Sequence, residues 1–246
     1  MYDRAGAYIG PMLSWSVVTK QVQLADDFET NVKGAVEIVA DTLNIGARSI
    51  VSTSTAGTGD GGAVFIEAGT ISLEDGGAVA SGTEPGSAGN AGSVDLIVDT
   101  LTVGEGSSIT TSTGGSGDAG VVTVEATTLV VDGGRIASSA ELGSTGSANA
   151  LFLEAETFSV VNSGVIATLS TNPNPAGLIT VLAGELRIDG QGSLIASENQ
   201  SGNPNFGGLI GPGGDAGAVL IGADNLTISN GGRVSTNSFA GAAGDI

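Results

Sequence analysis

Carboxylates are the only abundant ionisable side chains in this chain: 26 Asp and Glu stand against seven Lys and Arg, with no His and no Cys. Carboxyl pairs facing across a cleft would serve glycoside hydrolysis, and clustered carboxylates would hold Ca²⁺. The outward-facing candidates are Asp95, Glu125 and Glu154. They sit on near-identical rungs without Arg, Lys or His beside them, so they read as a solvated face. No catalytic, cofactor-binding or metal-ligating residue is assigned, and no cofactor is expected. The segments GGSGDAG at 114–120 and GPGGDAG at 211–217 resemble a calcium nonapeptide, but the Asp is misplaced and the unit does not recur every nine residues. An Asx-type turn opening each repeat accounts for them, with only adventitious Ca²⁺ at the Asp215/Asp245 corner.

Hydroxyls form the other regular set. Ser52–Thr55, Thr110–Thr113, Ser138–Ser139 and Ser235–Thr236 occupy one segment of successive repeats. Regularly spaced Thr could match an ice lattice, but Ala80-Ser81-Gly82 and Ala196-Ser197-Glu198 break the array. A solvated, β-favouring face is the expectation, with ice binding a third-ranked function.

The elements that position these residues come from the repeat. Near-copies start at Gly34, Gly62, Gly92, Gly120, Asn149, Gly177 and Gly217, separated by 28, 30, 28, 29, 28 and 40 residues. A fixed period of this length marks a solenoid. Within a copy, apolar residues recur every second position in three segments: Val94/Leu96/Val98, Leu101/Val103 and Ile109 in the third copy, Val36/Ile38, Leu43/Ile45 and Ile50 in the first, Val219/Ile221, Leu226/Ile228 and Val234 in the last. Period two indicates strands with one buried face. No helical periodicity intervenes, and the leucine spacing of leucine-rich repeats is absent. The fold expected is all-β: a single-stranded parallel β-helix (β-solenoid) of about seven coils, each of 28–30 residues with three short strands. One coil cannot bury its own apolar face, so Val36, Val64, Val94, Val122, Leu151, Ile179 and Val219 should stack as a single inward column. Seven coils at about 4.8 Å each give a rod on the order of 35 Å long.

Two further columns support that register. Asp41, Gly69, Asp99, Thr127, Glu156, Gly184 and Asp224 alternate charged with neutral residues. Carboxylates about 5 Å apart repel by only about 1 kcal/mol in water, but the cost accumulates along a stack. The column Asp60, Asn90, Asp118, Ser147, Pro175, Asp215, Asp245 follows nearly the same habit. The 42 Gly recur at fixed offsets and are assigned to turns needing positive φ.

Composition narrows the function. A net charge of −19 cannot neutralise phosphates, which excludes nucleic acid as a partner. With no Cys there is no disulfide or thiolate nucleophile. Aromatics at 4% argue against a membrane barrel, and no apolar run approaches the roughly 20 residues of a membrane helix.

Residues 1–33 depart from the repeat and hold the only Trp, Trp15. They read as a degenerate first coil with Val22 and Leu24 in a strand, or as an N-terminal cap with Trp15 as plug, and not as a secretory signal. Residues 34–246 form the repeat domain. Its variable connections at 81–91, 140–148 and 171–176 share one corner, a ragged edge where a partner could bind. The 40-residue step contains a longer loop, 199–214, in which Asn203, Phe206, Leu209 and Ile210 are candidate partner-binding residues. The competing reading packs that loop against the coil side. Gly244-Asp245-Ile246 falls where another coil would start, so neighbouring coils of a longer parent chain are expected.

The units GDAGVVTVEATTLVVDGGRIASS and GDAGAVLIGADNLTISNGGRVSTNS resemble repeats of the filamentous haemagglutinin family, large exoproteins exported by two-partner secretion, and the cyanobacterial versions above all. The likeness spans roughly residues 34–246. It implies a right-handed β-helix shaft, a secreted, cell-surface location reached through an outer-membrane partner transporter, and a role in adhesion to a host surface or glycan. Asn172-Pro173-Asn174 is similar to a motif of that family's secretion domain, but here replaces an inter-coil turn. The function expected is a non-catalytic shaft segment of an adhesin-like exoprotein, and the alternative is a carbohydrate-binding or polysaccharide-degrading β-helix.

Overall fold

A computed structural model describes residues 34–46, 48–201 and 213–246. The expectations for residues 1–33 and for Asn203, Phe206, Leu209 and Ile210 lie outside the described residues. Each coil contributes one long and one short strand. The long strands are β1 (Val36–Ile45), β3 (Val64–Leu73), β5 (Val94–Val103), β7 (Val122–Asp132), β9 (Leu151–Val161), β11 (Ile179–Asp189) and β13 (Val219–Ser229). The short ones are β2 (Ile50–Thr55), β4 (Ala78–Thr83), β6 (Ser108–Thr113), β8 (Arg135–Ala140), β10 (Val165–Ser170), β12 (Leu194–Asn199) and β14 (Arg233–Ser238). Long strands pair only with long strands and short with short, giving two seven-stranded sheets in sequence order. Every pairing is parallel, and the described residues contain no helix. The chain is a parallel β-solenoid.

The expected inward column is continuous: Val36, Val64, Val94, Val122, Leu151, Ile179 and Val219 are successive register partners. All but the terminal Val36 are fully buried. The three segments of each repeat become two strands, because the first two run on as one. In β5, Val94, Leu96 and Val98 point inward, then Asp99 and Thr100 both face out before Leu101 and Val103 turn in again. Two successive outward residues require a bend, and the ladder skips that position on every rung. The acid/neutral column from Asp41 to Asp224 is this bend.

One assignment of the sequence pattern shifts by a residue. Ile50 is 58% exposed, and Val51 takes the inward place beside Val79 and Ile109. Adjacent Ile50 and Val51 satisfy a period of two equally well, so only the register of the next rung separates them.

Most glycines at the repeat starts serve a purpose other than positive φ. Gly62, Gly92, Gly120, Gly177 and Gly217 all lack it, yet a Cβ on Gly92 would lie 1.9 Å from the Gly62 carbonyl oxygen, and one on Gly120 1.8 Å from that of Gly92. Backbone stacks directly on backbone here, leaving no room for a side chain. Positive φ is confined chiefly to the turns after the long strands, where Asp75-Gly76 and Asn230-Gly231 are left-handed at both central positions. Gly77 N–H donates to Glu74 O and Gly232 N–H to Ser229 O across these type I′-like turns. Gly92→Ala is expected to cost on the order of 3 kcal/mol in chemical denaturation. Gly57→Ala, where nothing lies within 4 Å of the added Cβ, should be nearly neutral.

The hydroxyl face also differs from expectation: half of it is core. Thr53, Ser81, Thr111, Ser138, Thr168, Ser197 and Thr236 are successive register partners, and the five central ones are at most 1% exposed. Only alternate residues such as Ser52, Thr110 and Ser112 face outward. The inward column alternates Thr and Ser for a physical reason. Each Thr donates to the glycine carbonyl that opens the following coil: Thr53 to Gly62, Thr111 to Gly120, Thr168 to Gly177. Each Ser donates to that same carbonyl from the next rung: Ser81 to Gly62, Ser138 to Gly120, Ser197 to Gly177. Each Ser also accepts the N–H of the coil start after it, from Gly92, Asn149 and Gly217. The repeating unit of the hydrogen bonding is therefore two coils. Ser138→Ala orphans the Asn149 N–H and should cost about 1–3 kcal/mol, whereas Thr111→Val leaves Gly120 O its bond from Ser138 and should cost about 1 kcal/mol or less. Denaturation midpoints of the two variants check this ranking.

Candidate functional site

The bend in the long strands makes the outer surface of that sheet concave. One groove of about 580 Å³ is lined by Glu37, Val39, Asp41, Glu67, Ile97 and Asp99 among others, and a second of about 690 Å³ by Glu154, Glu156, Leu182 and Asp224 among others. Two outward columns border the bend. The first reads Val39, Glu67, Ile97, Glu125, Glu154, Leu182, Gly222, and the second is the bend column from Asp41 to Asp224. On the first four rungs the two columns interlock: Val39 with Asp41, Glu67 with Gly69, Ile97 with Asp99, Glu125 with Thr127. Each of those rungs offers one carboxylate, switching column from rung to rung. Val39 and Ile97, each 45% exposed, fill the alternate places.

The carboxylates fall into two classes. One class is structural. Asp60 Oδ1 accepts the Asn90 N–H at 2.9 Å and Asp118 Oδ1 the Ser147 N–H at 2.8 Å, while Asn90 Oδ1 does the same for Asp118 N–H. The expected Asx turn is thus not local: these side chains reach the next rung, 28–30 residues away. Asp95 accepts from Ser93, Asp132 from Asn162, and Glu74 from Ser72. As is also true of Asp75, Glu84, Glu105, Glu141, Glu185 and Asp245, no side-chain hydrogen bond or ion pair with any described residue is made by the other class, Glu37, Asp41, Glu67, Asp99, Glu125, Glu154, Glu156 and Asp224. All but Glu125 line the grooves, and Glu125 sits beside them on the first column.

Of the three carboxyls singled out from sequence, Asp95 is held by Ser93, and Glu125 and Glu154 stand on adjacent rungs in direct register. No Arg or Lys lines either groove, and among the described residues no group of three or more His, Cys, Asp or Glu is disposed to hold a metal. Asp215 is one of the structural set, accepting the Ala242 N–H at 2.7 Å.

Charge is unevenly shared between the sheets. The outward residues of the short strands are mostly Ser, Ala, Thr and Gly, with one carboxylate, Glu198, and two arginines, Arg135 and Arg233. Arg135 reaches along its own strand to Ser139 Oγ at 3.3 Å. The column on the outer side of the register is Ser52, Ala80, Thr110, Ala137, Ala167, Ala196 and Ser235, so alanine holds more places than hydroxyls, and Ala137 and Ala196 are themselves fully covered.

The ragged edge is stitched from within. The Asn172 amide, 5% exposed, donates to Ser144 O, Ser144 Oγ and Gly146 O of the rung below, and its Oδ1 accepts the Asn174 N–H. Asn199 Nδ2 repeats the contact one rung on, to Asn172 O and Asn174 O. Asn172-Pro173-Asn174 is an inter-coil turn, as expected, and its first side chain is a rung-to-rung bolt.

The bend column taken alone gives no sign of a groove. Taken beside the column two residues before it, the same alternation shows the one-carboxylate-per-rung pattern. No family model, curated protein or solved structure matches this chain.

At the last turn, Asp189 takes bonds from Ser229 Oγ and Asn230 Nδ2 on the next rung and pairs with Arg187. Those hydrogen bonds hold its carboxyl below the usual range against the opposing effect of desolvation, and Arg187 adds the least. A depressed carboxylate stabilises the fold above its unfolded pKa, and that contribution disappears as pH falls through the depressed value. Asp189→Asn should therefore flatten the loss of stability below about pH 4, read from thermal melts across the acid range.

Proposed function

We propose that this chain is a non-catalytic structural shaft of a secreted, surface-associated exoprotein of the adhesin type, similar to the filamentous haemagglutinin repeats. The observation that carries this reading is the uninterrupted stacking of seven rungs in both sheets. Side chains that other folds would leave free are spent on the rung above or below: the inward Thr/Ser column, the Asp60–Asn90–Asp118 ladder and the Asn172 and Asn199 amides. Such a molecule holds its two ends apart, which is what a shaft must do. Export through an outer-membrane partner transporter, and a host surface or glycan as the eventual target, follow from the resemblance.

Stability in a stacked array is a sum over neighbouring rungs, so length is adjustable when neighbours stay compatible. Deleting residues 92–148, two coils, keeps Ser beside Thr in the inward column. It should give a cooperatively folded rod shorter by about 10 Å in small-angle scattering. Deleting 92–119 alone sets Ser81 against Ser138 and should melt lower than the two-coil deletion. Equal melting of both would remove the two-coil period. The competing enzymatic reading is tested with polysaccharide panels: cleavage by the intact chain, lost in Glu154→Gln, would overturn the shaft assignment.

A further inference from the structure

We propose that the two outward columns along the bend of the long-strand sheet, with the two grooves set into them, dock a basic α-helical segment of a protein partner. The partner would carry Lys or Arg at alternating three- and four-residue intervals. The inference rests on the fold and the groove, not on the shaft reading.

Three observations lead there. First, the side chains of Glu37, Asp41, Glu67, Asp99, Glu125, Glu154, Glu156 and Asp224 make no hydrogen bond or ion pair with any described residue, so they contribute nothing to the rung-to-rung bonding that Asp60, Asp118 and Asp132 provide. Second, carboxylates alternate with exposed aliphatic side chains. An occupant must present positive charge and apolar surface together, as the alkyl stem and charged head of Lys or Arg do. Third, the spacing is geometric. Within either column Asp41 and Asp99, or Glu67 and Glu125, are two rungs apart, about 9.6 Å, and the columns are staggered by one rung, about 4.8 Å. Carboxylates so spread do not converge on one metal ion. On an α-helix, residues seven apart rise about 10.5 Å, and the intervening i+3 or i+4 residue lies about 4.5–6 Å along, displaced to one side. That zigzag matches Asp41, Glu67, Asp99, Glu125 and Glu156 in turn, with Glu154 beside the last of them on the first column. The guanidinium or ammonium heads would meet the carboxylates, and the stems would lie on Val39 and Ile97.

The test uses the full chain and two labelled synthetic helices of equal length, composition and helicity. One has Lys at i, i+3, i+7, i+10 and i+14; the other has the same lysines spread around the helix. Binding is measured by fluorescence anisotropy near 150 mM salt. The in-register peptide should bind about tenfold tighter than the scrambled one. Asp99→Asn with Glu67→Gln should weaken it about tenfold, from two exposed charge pairs. Ile97→Ser should weaken it severalfold, and Glu198→Gln on the opposite sheet should change nothing. Circular dichroism melts establish that each variant stays folded. Equal affinity for both peptides would reduce the groove to unspecific attraction by an acidic protein and overturn the proposal. So would insensitivity to the groove variants, or binding of a glucosamine oligomer with none of either peptide.

Discussion

Parallel strands stacked in register place every residue directly above its counterpart from the coil before, about 4.8 Å away. This single constraint governs the molecule. A residue is selected less by its neighbours in sequence than by the identical position 28–30 residues earlier. Where backbone lies on backbone, the repeat start is glycine in every coil but the one opened by Asn149, and even a methyl group on Gly120 would overlap the carbonyl beneath. Where side chains point inward under the long strands, Val, Leu and Ile stack like on like, with Phe158 a buried exception.

Polar columns obey the same constraint with more than one solution. The inward Thr and Ser satisfy glycine carbonyls and amides that the strands leave over, and they do so in pairs of coils. Asp60 and Asp118 accept a backbone N–H from the rung above, with Asn90 spacing the two charges apart. The bend column avoids adjacent carboxylates by interposing Gly69, Thr127 and Gly184. Electrostatic spacing and hydrogen-bond capacity thus favour alternation, although the coil geometry alone requires none.

The architecture was legible because period-two patterning and a repeat of fixed length are direct consequences of stacking. The inward column and its register needed nothing more. Less could be read where the pattern is degenerate. Ile50 and Val51 are both apolar and both β-branched, so either suited the core. Ser and Thr pack as well inside a hydrogen-bonded corner as outside in water, so polarity points to the wrong face for Thr111 and Ser138. Repetition of glycine suggests dihedral freedom, whereas most glycines at the coil starts answer to a contact one coil distant in the chain. The groove escaped notice because concavity depends on two consecutive outward residues, Asp99 and Thr100, a local break that period-two counting passes over.

The excursion between β12 and β13 has a use of its own. Ser201 Oγ accepts the Gly214 N–H at 2.9 Å, closing the departure and return of the chain against each other, and the two strands pair in full register with their neighbours on either side of it. The coil is thereby insulated from whatever is spliced between those two residues. A foreign epitope or small domain grafted between them would leave the pairing of the flanking rungs as it stands.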